Sequence, residues 1–263
     1  MDYEPPTLDD IREVRRLLPA VAAVLTVVAL AFPMWVISVD AVQYPSTTLE
    51  LELYAYPRIA GDYEEMAALN KYIGFYYPDP VYWGPNYEPH PKAVDVPEWS
   101  LGPFVFVGVA ALNLFVSLAP TAEKLRRGLT YQFAGTVGLF TVMLADIQYR
   151  LYQAGHSLDP GAPVMGVDGF TPPLWGTYEV ANITSHSRFG LGAYLTTTAI
   201  GLLAVAVYYR NDPVTVGELP ARVRAGFGSV RRRLPVGGGD GRDDAETPGE
   251  RTDEETEKEV TVQ

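Results

Sequence analysis

His156 and His186, with Asp159 and Met165 between them, place imidazole, carboxylate and thioether groups in one Gly/Pro-rich segment, 150–188. Imidazole and methionine sulfur suit Cu(I), while imidazole with carboxylate suits Zn(II) or Cu(II), so the four residues form a candidate metal site if the segment folds back on itself. The stretch Gly155-His-Ser-Leu-Asp-Pro-Gly-Ala-Pro163 also admits a structural reading. In that reading Asp159 caps a turn before Pro160 and His156 hydrogen-bonds a backbone carbonyl. Spacing leaves both open, because no His-x-x-His or Glu-x-x-His pair occurs. Asp146 and Arg150, four residues apart, form a candidate polar cluster, either as a structural pair or as part of a buried site. Asn182-Ile-Thr184 is an N-glycosylation sequon.

The elements that must position these residues are apolar. Segments 17–38, 101–120, 129–149 and 189–209 each reach the roughly 20 residues that cross a hydrocarbon core. The expected fold is therefore mainly α: a four-transmembrane-helix bundle with a small extracytoplasmic α+β or irregular cap. Segments 1–16, 121–128 and 210–263 fall on one side, and 39–100 and 150–188 on the other. Basic residues decide which side is which. Arg12, Arg15, Arg16, Lys124, Arg126, Arg127 and Arg210 flank the first set, so the positive-inside rule puts both termini in the cytoplasm of a multi-pass protein of the cell membrane. The first apolar run is too long for a cleavable signal and is expected to remain as an anchor.

Segment 39–100 holds nine of the 17 tyrosines. Residues 47–56 alternate polar and apolar, which predicts a half-buried strand. Residues 61–74 predict a short helix with Asp62 as N-cap and Gly74 as C-cap. Residues 76–98, rich in Pro, Tyr and Trp, predict an irregular segment over the outer helix ends. Thr7 and Asp10 fit a capping box before the first span, which Pro33 is expected to kink. Ala193, Thr197 and Gly201, and likewise Ala134 and Gly138, are spaced for helix–helix contact. The tail from Val236 is expected to be disordered.

A formal charge of −12, from 32 acidic against 20 basic residues, reads as the solvated surface of a salt-in halophile, not as a cation site. The absence of cysteine excludes disulfides, thiolate metal sites and iron–sulfur clusters. No phosphate-cradling glycine loop, nucleophile elbow or zincin helix is present, and no basic aromatic face suggests nucleic acid. A non-enzymatic role is expected, with membrane lipid as one partner.

Pro33-Met-Trp35, Gln43-Tyr-Pro45, Gly61-Asp62, Leu69-Asn-Lys-Tyr-Ile-Gly74, Gly155-His-Ser-Leu-Asp-Pro160, Ala162-Pro163 and Phe170-Thr-Pro-Pro-Leu-Trp-Gly176, taken in order, resemble an uncharacterised family of integral membrane proteins. That family is encoded beside nitrous oxide reductase and its copper-delivery factors. The resemblance implies an accessory protein of denitrification, supporting assembly or copper supply of an extracytoplasmic metalloenzyme. It makes copper the candidate cofactor, and a periplasmic or extracellular metalloenzyme or copper chaperone the candidate partner. The family pattern has His and Met where this chain has Lys71 and Phe75, so of its candidate ligands only His156 and Asp159 carry over. Two other readings stand beside it: a scaffold whose tyrosine-rich cap binds partners, and a small-solute or metal permease. Few intramembrane polar groups, chiefly Asn113, Gln132 and Asp146, disfavour the permease.

Overall fold

A computed structural model describes residues 12–78, 90–164, 169–218 and 220–221. The Thr7–Asp10 capping box, Met165 and the tail from Val236 lie outside the described residues.

In chain order the elements are α1 (Val14–Ala29), β1 (Trp35–Ala41), β2 (Leu49–Leu53), β3 (Ile59–Gly61), α2 (Tyr63–Ile73), a 3-10 turn (Pro97–Leu101), α3 (Gly102–Ser117), α4 (Ala122–His156), β4 (Gly176–Val180), β5 (Ile183–Phe189) and α5 (Leu191–Tyr208). The five strands form one antiparallel sheet in the order β3-β2-β1-β5-β4. This corrects the expected fold class. Among the described residues three stretches, Pro97–Ser117, Ala122–His156 and Leu191–Tyr208, are long and apolar enough to cross a membrane, not four. The cap is built on a sheet, not on one strand and irregular loops.

The first expected span, 17–38, fails for a physical reason. Pro33 cannot continue a helix and biases the residue before it away from helical angles, so α1 closes after 16 residues, about 24 Å. The β-branched run that follows is then taken as the central strand, with partners on both sides. Hydropathy averages composition and does not distinguish the two fates of an apolar run. α4 is longer at both ends than the expected 129–149. The Thr121 side chain accepts from the Lys124 N–H and starts the helix inside the expected loop, and helix continues to His156.

α1 packs against α3 and α5, and α4 against α3 and α5. The predicted small-residue faces are displaced: Thr197, Gly201, Ala134 and Gly138 are exposed. The buried stripe of α5 includes Gly192, Thr196, Ala199 and Leu203, with Ala22 and Ala29 of α1 against it. At one end of the bundle the buried Arg16 donates to the carbonyls of Ser117 (3.0 Å) and Ala119 (2.8 Å), placing a cation on the C-terminus of α3. There the Val14 N–H also donates to the Val214 carbonyl at 2.8 Å. The sheet lies at the other end, where Gly190 N–H donates to the Met34 carbonyl (2.9 Å) and Trp99 Nε1 to that of Tyr54 (2.9 Å).

One sheet face is sealed. Val39, Leu49, Leu51, Val180 and Ile183 pack against Met66, Leu69 and Ile73 of α2. α2 agrees with the predicted helix, and Gly74 takes the left-handed C-cap (φ 76°), but Asp62 does not cap it. Its carboxylate instead accepts from the Glu50 N–H at 2.9 Å, tying β2 to the helix start.

Candidate functional site

The outer face of the sheet is polar because alternate residues of four strands point there together. Thr177, His186, Ser38 and Glu50 lie on one rung across β4, β5, β1 and β2, while Glu179, Thr184 and Asp40 lie on the next. Thr177 Oγ1 and His186 Nδ1 are 2.7 Å apart, and His186 Nε2 faces Asp40 Oδ2 at 3.7 Å. Thr48 donates to Asp40 Oδ1 at 2.7 Å. Arg188 and Ser38 both donate to Glu50 Oε1, at 2.8 and 3.2 Å. An open cleft of about 580 Å³ adjoins this face, lined by Asp40, Tyr44, Thr48, Glu179, Asn182 and Thr184. Asn182 is exposed in the two-residue turn between β4 and β5, in which Ala181 adopts a left-handed φ of 53°.

On the sealed side, the motifs singled out in the sequence converge. The Asp159 N–H donates to the Gly74 carbonyl (2.9 Å), the Val164 N–H to that of Tyr72 (3.0 Å) and the Phe170 N–H to that of Gly155 (3.1 Å). A Cβ at Gly155 would fall on the Phe170 carbonyl, so glycine is required by close approach. The rings of Tyr63, Phe75, Tyr77, Phe170 and Tyr178 form a chain of contacts 5.2–6.1 Å apart. Burial holds the phenols of Tyr77 and Tyr178 above their ordinary pKa, with Ser185 opposing the shift at Tyr178. Tyr54 is shifted the same way by burial and by its hydrogen bond to Glu52. A smaller cleft of about 360 Å³ opens beside the Gly74–Asp159 contact, lined by Lys71, Tyr72, Tyr76, Asp159 and Pro163.

His156 closes α4, where its Nδ1 lies 2.8 Å from the Tyr152 carbonyl and its ring stacks on Tyr152. Asp159 accepts from the Gly161 N–H across Pro160 at 3.0 Å, the turn-capping alternative. His186 lies on the polar sheet face. The structure does not gather His156, Asp159 and His186, and no three His, Asp or Glu side chains form a metal-holding group among the described residues.

Arg150 does approach Asp146, at 3.9 Å, but its main partner is Glu98, which binds both its Nε and Nη2. Sequence reasoning missed Glu98, 52 positions away, and missed Asp40 and Thr177, because only the strand register reveals them. Within the helices, Gln132 donates to Asn113 Oδ1 (2.9 Å), the Val109 carbonyl (3.3 Å) and Thr136 Oγ1 (3.3 Å), a small internal glue between α3 and α4.

Comparison with protein-family models, with curated proteins and with solved structures finds no match to this chain.

Proposed function

We propose that this chain is an accessory protein of the cell membrane. Its apolar helices anchor a sheet that faces outward and docks an extracytoplasmic metalloenzyme, in support of that enzyme's assembly or copper supply. The observation that carries the docking role is the polar sheet face, standing at the end of the bundle opposite Arg15, Arg16, Lys124, Arg126, Arg127 and Arg210. The positive-inside rule then turns the sheet away from the cytoplasm and makes the chain multi-pass. Exposed aromatics support the membrane setting. Tyr131 and Tyr149 on α4 are 76% and 56% exposed and stand about 27 Å apart along the helix, close to the hydrocarbon thickness of about 30 Å. The partner class comes from the family resemblance, which points to an enzyme of the nitrous oxide reductase type.

The exposed ion pair and hydrogen bonds of the sheet face also favour a scaffold that binds partners without handling metal. Deleting the gene in a denitrifying host separates the two readings. Loss of nitrous oxide reduction together with reductase copper is the expected result. Loss of reductase assembly with full copper in the remaining enzyme favours the scaffold, and no change in either under copper limitation overturns both.

A further inference from the structure

We infer that His186 and Asp40 clamp one divalent transition-metal ion on the outer face of the sheet. The inference deepens the metal-handling part of the proposed function and rests on it for biological use, but not for its test.

His186 Nε2 and Asp40 Oδ2 are 3.7 Å apart, too far for a hydrogen bond and close enough that one point between them lies about 2.1 Å from both. The other polar atom of each side chain is already occupied. Nδ1 of His186 is 2.7 Å from Thr177 Oγ1, and Oδ1 of Asp40 accepts from Thr48 at 2.7 Å. In the tautomer whose Nδ1–H donates to Thr177, Nε2 carries the lone pair on the nitrogen nearest Asp40. This outer-partner arrangement is the one that orients His and carboxylate ligands at metal sites.

The backbone fixes the pair as well. His186 and Asp40 lie diagonally across the β1–β5 ladder, so their separation follows from the register and not from loop placement. The nearest cation along the strand, Arg188, is held by Glu50 at 2.8 Å and does not compete for the space. The adjoining cleft of about 580 Å³ leaves room for water to complete the coordination, and Glu179 lines the same cleft across Thr184. An imidazole nitrogen with a carboxylate oxygen selects the zinc and copper(II) class over calcium or magnesium, which take oxygen ligands.

Titrating the full chain in detergent with Zn²⁺ against a chromophoric chelator tests the clamp. About one Zn²⁺ per chain is expected, with affinity falling at least tenfold in both His186→Gln and Asp40→Asn and remaining unchanged in His156→Gln. Zn²⁺ should also raise the Tm of the wild type and not that of His186→Gln, which is a readout of folded variants. No binding by the wild type, or equal affinity in wild type and His186→Gln, overturns the inference. Partner docking is untouched by either outcome, because no partner is present in the titration.

Discussion

Asp159 donates its backbone N–H to the carbonyl of Gly74 at 2.9 Å, joining two segments 85 residues apart at the one point where α2 ends in a left-handed turn. A Cβ at Gly74 would lie 2.7–2.8 Å from the backbone of Asp159, on a residue whose φ is already 76°. Gly74→Ala is expected to cost about 2 kcal/mol or more, combining left-handed strain with the steric overlap. Thermal unfolding in detergent measures it against Gly138→Ala, which has open space at its Cβ inside a helix and should be neutral or stabilising by up to about 1 kcal/mol.

Glu98 and Arg150 hold the start of the Pro97–Ser117 stretch to the C-terminal part of α4. Both side chains are about one-third exposed, so a double-mutant cycle with Glu98→Gln and Arg150→Met should give a coupling of about 1 kcal/mol. Asp146→Asn, at the longer 3.9 Å, should cost only a few tenths. A larger loss at Asp146 than at Glu98 would reverse this ranking.

Tyr77 predicts an alkaline limit to stability. Below about pH 10, the ordinary phenol value, Tyr77 is neutral in both folded and unfolded chains and its contribution is fully present. Above that pH the unfolded chain ionises while burial keeps the folded phenol protonated, so stability falls as pH rises toward the folded value. The Tm of the wild type should therefore drop more steeply between about pH 10 and 12 than that of Tyr77→Phe. Parallel curves would remove Tyr77 as a cause.

Ala181 occupies a backbone conformation that glycine adopts without penalty. Ala181→Gly should stabilise the β4–β5 hairpin by about 0.5–1 kcal/mol, read as a raised Tm. A lowered Tm would show that the turn relaxes around alanine.

Orientation is open to direct labelling, because the chain has no cysteine of its own. Val42, 74% exposed beside the sheet-face cleft, replaced by Cys should react with a membrane-impermeant maleimide from outside. Arg127→Cys should react only after permeabilisation. The reverse pattern inverts the topology.

Local signals were legible in the sequence where their causes are local. The helix α2 and its Gly74 cap follow from a first turn of acids and a glycine stop, and β2 follows from strict alternation in Leu-Glu-Leu-Glu-Leu. β1 was not legible, because Trp-Val-Ile-Ser-Val continues an apolar run and only its neighbours in the sheet identify it as a strand. The β4–β5 hairpin was hidden in what reads as a loop, since its inward positions include Ser185 and Ser187 instead of large apolar residues. Asp146 with Arg150 could be read at helical spacing. The His186–Asp40 pair could not, because it depends on a register between strands about 145 residues apart.

The strand β5 meets α5 across Gly190 alone, and β1 follows α1 after residues 30–34, so the β1–β5 ladder stands at the end of two helices that pack against each other. Seven residue pairs, from Trp35 with Phe189 at the base to Ala41 with Ile183 at the tip, continue that helix seam. The α1–α5 seam is in effect zipped from above. Separating α1 from α5 at their sheet end would break backbone hydrogen bonds between β1 and β5, so the two helices are coupled there. A pull on the sheet is transmitted into both helices at once, as tension along a single spliced strut.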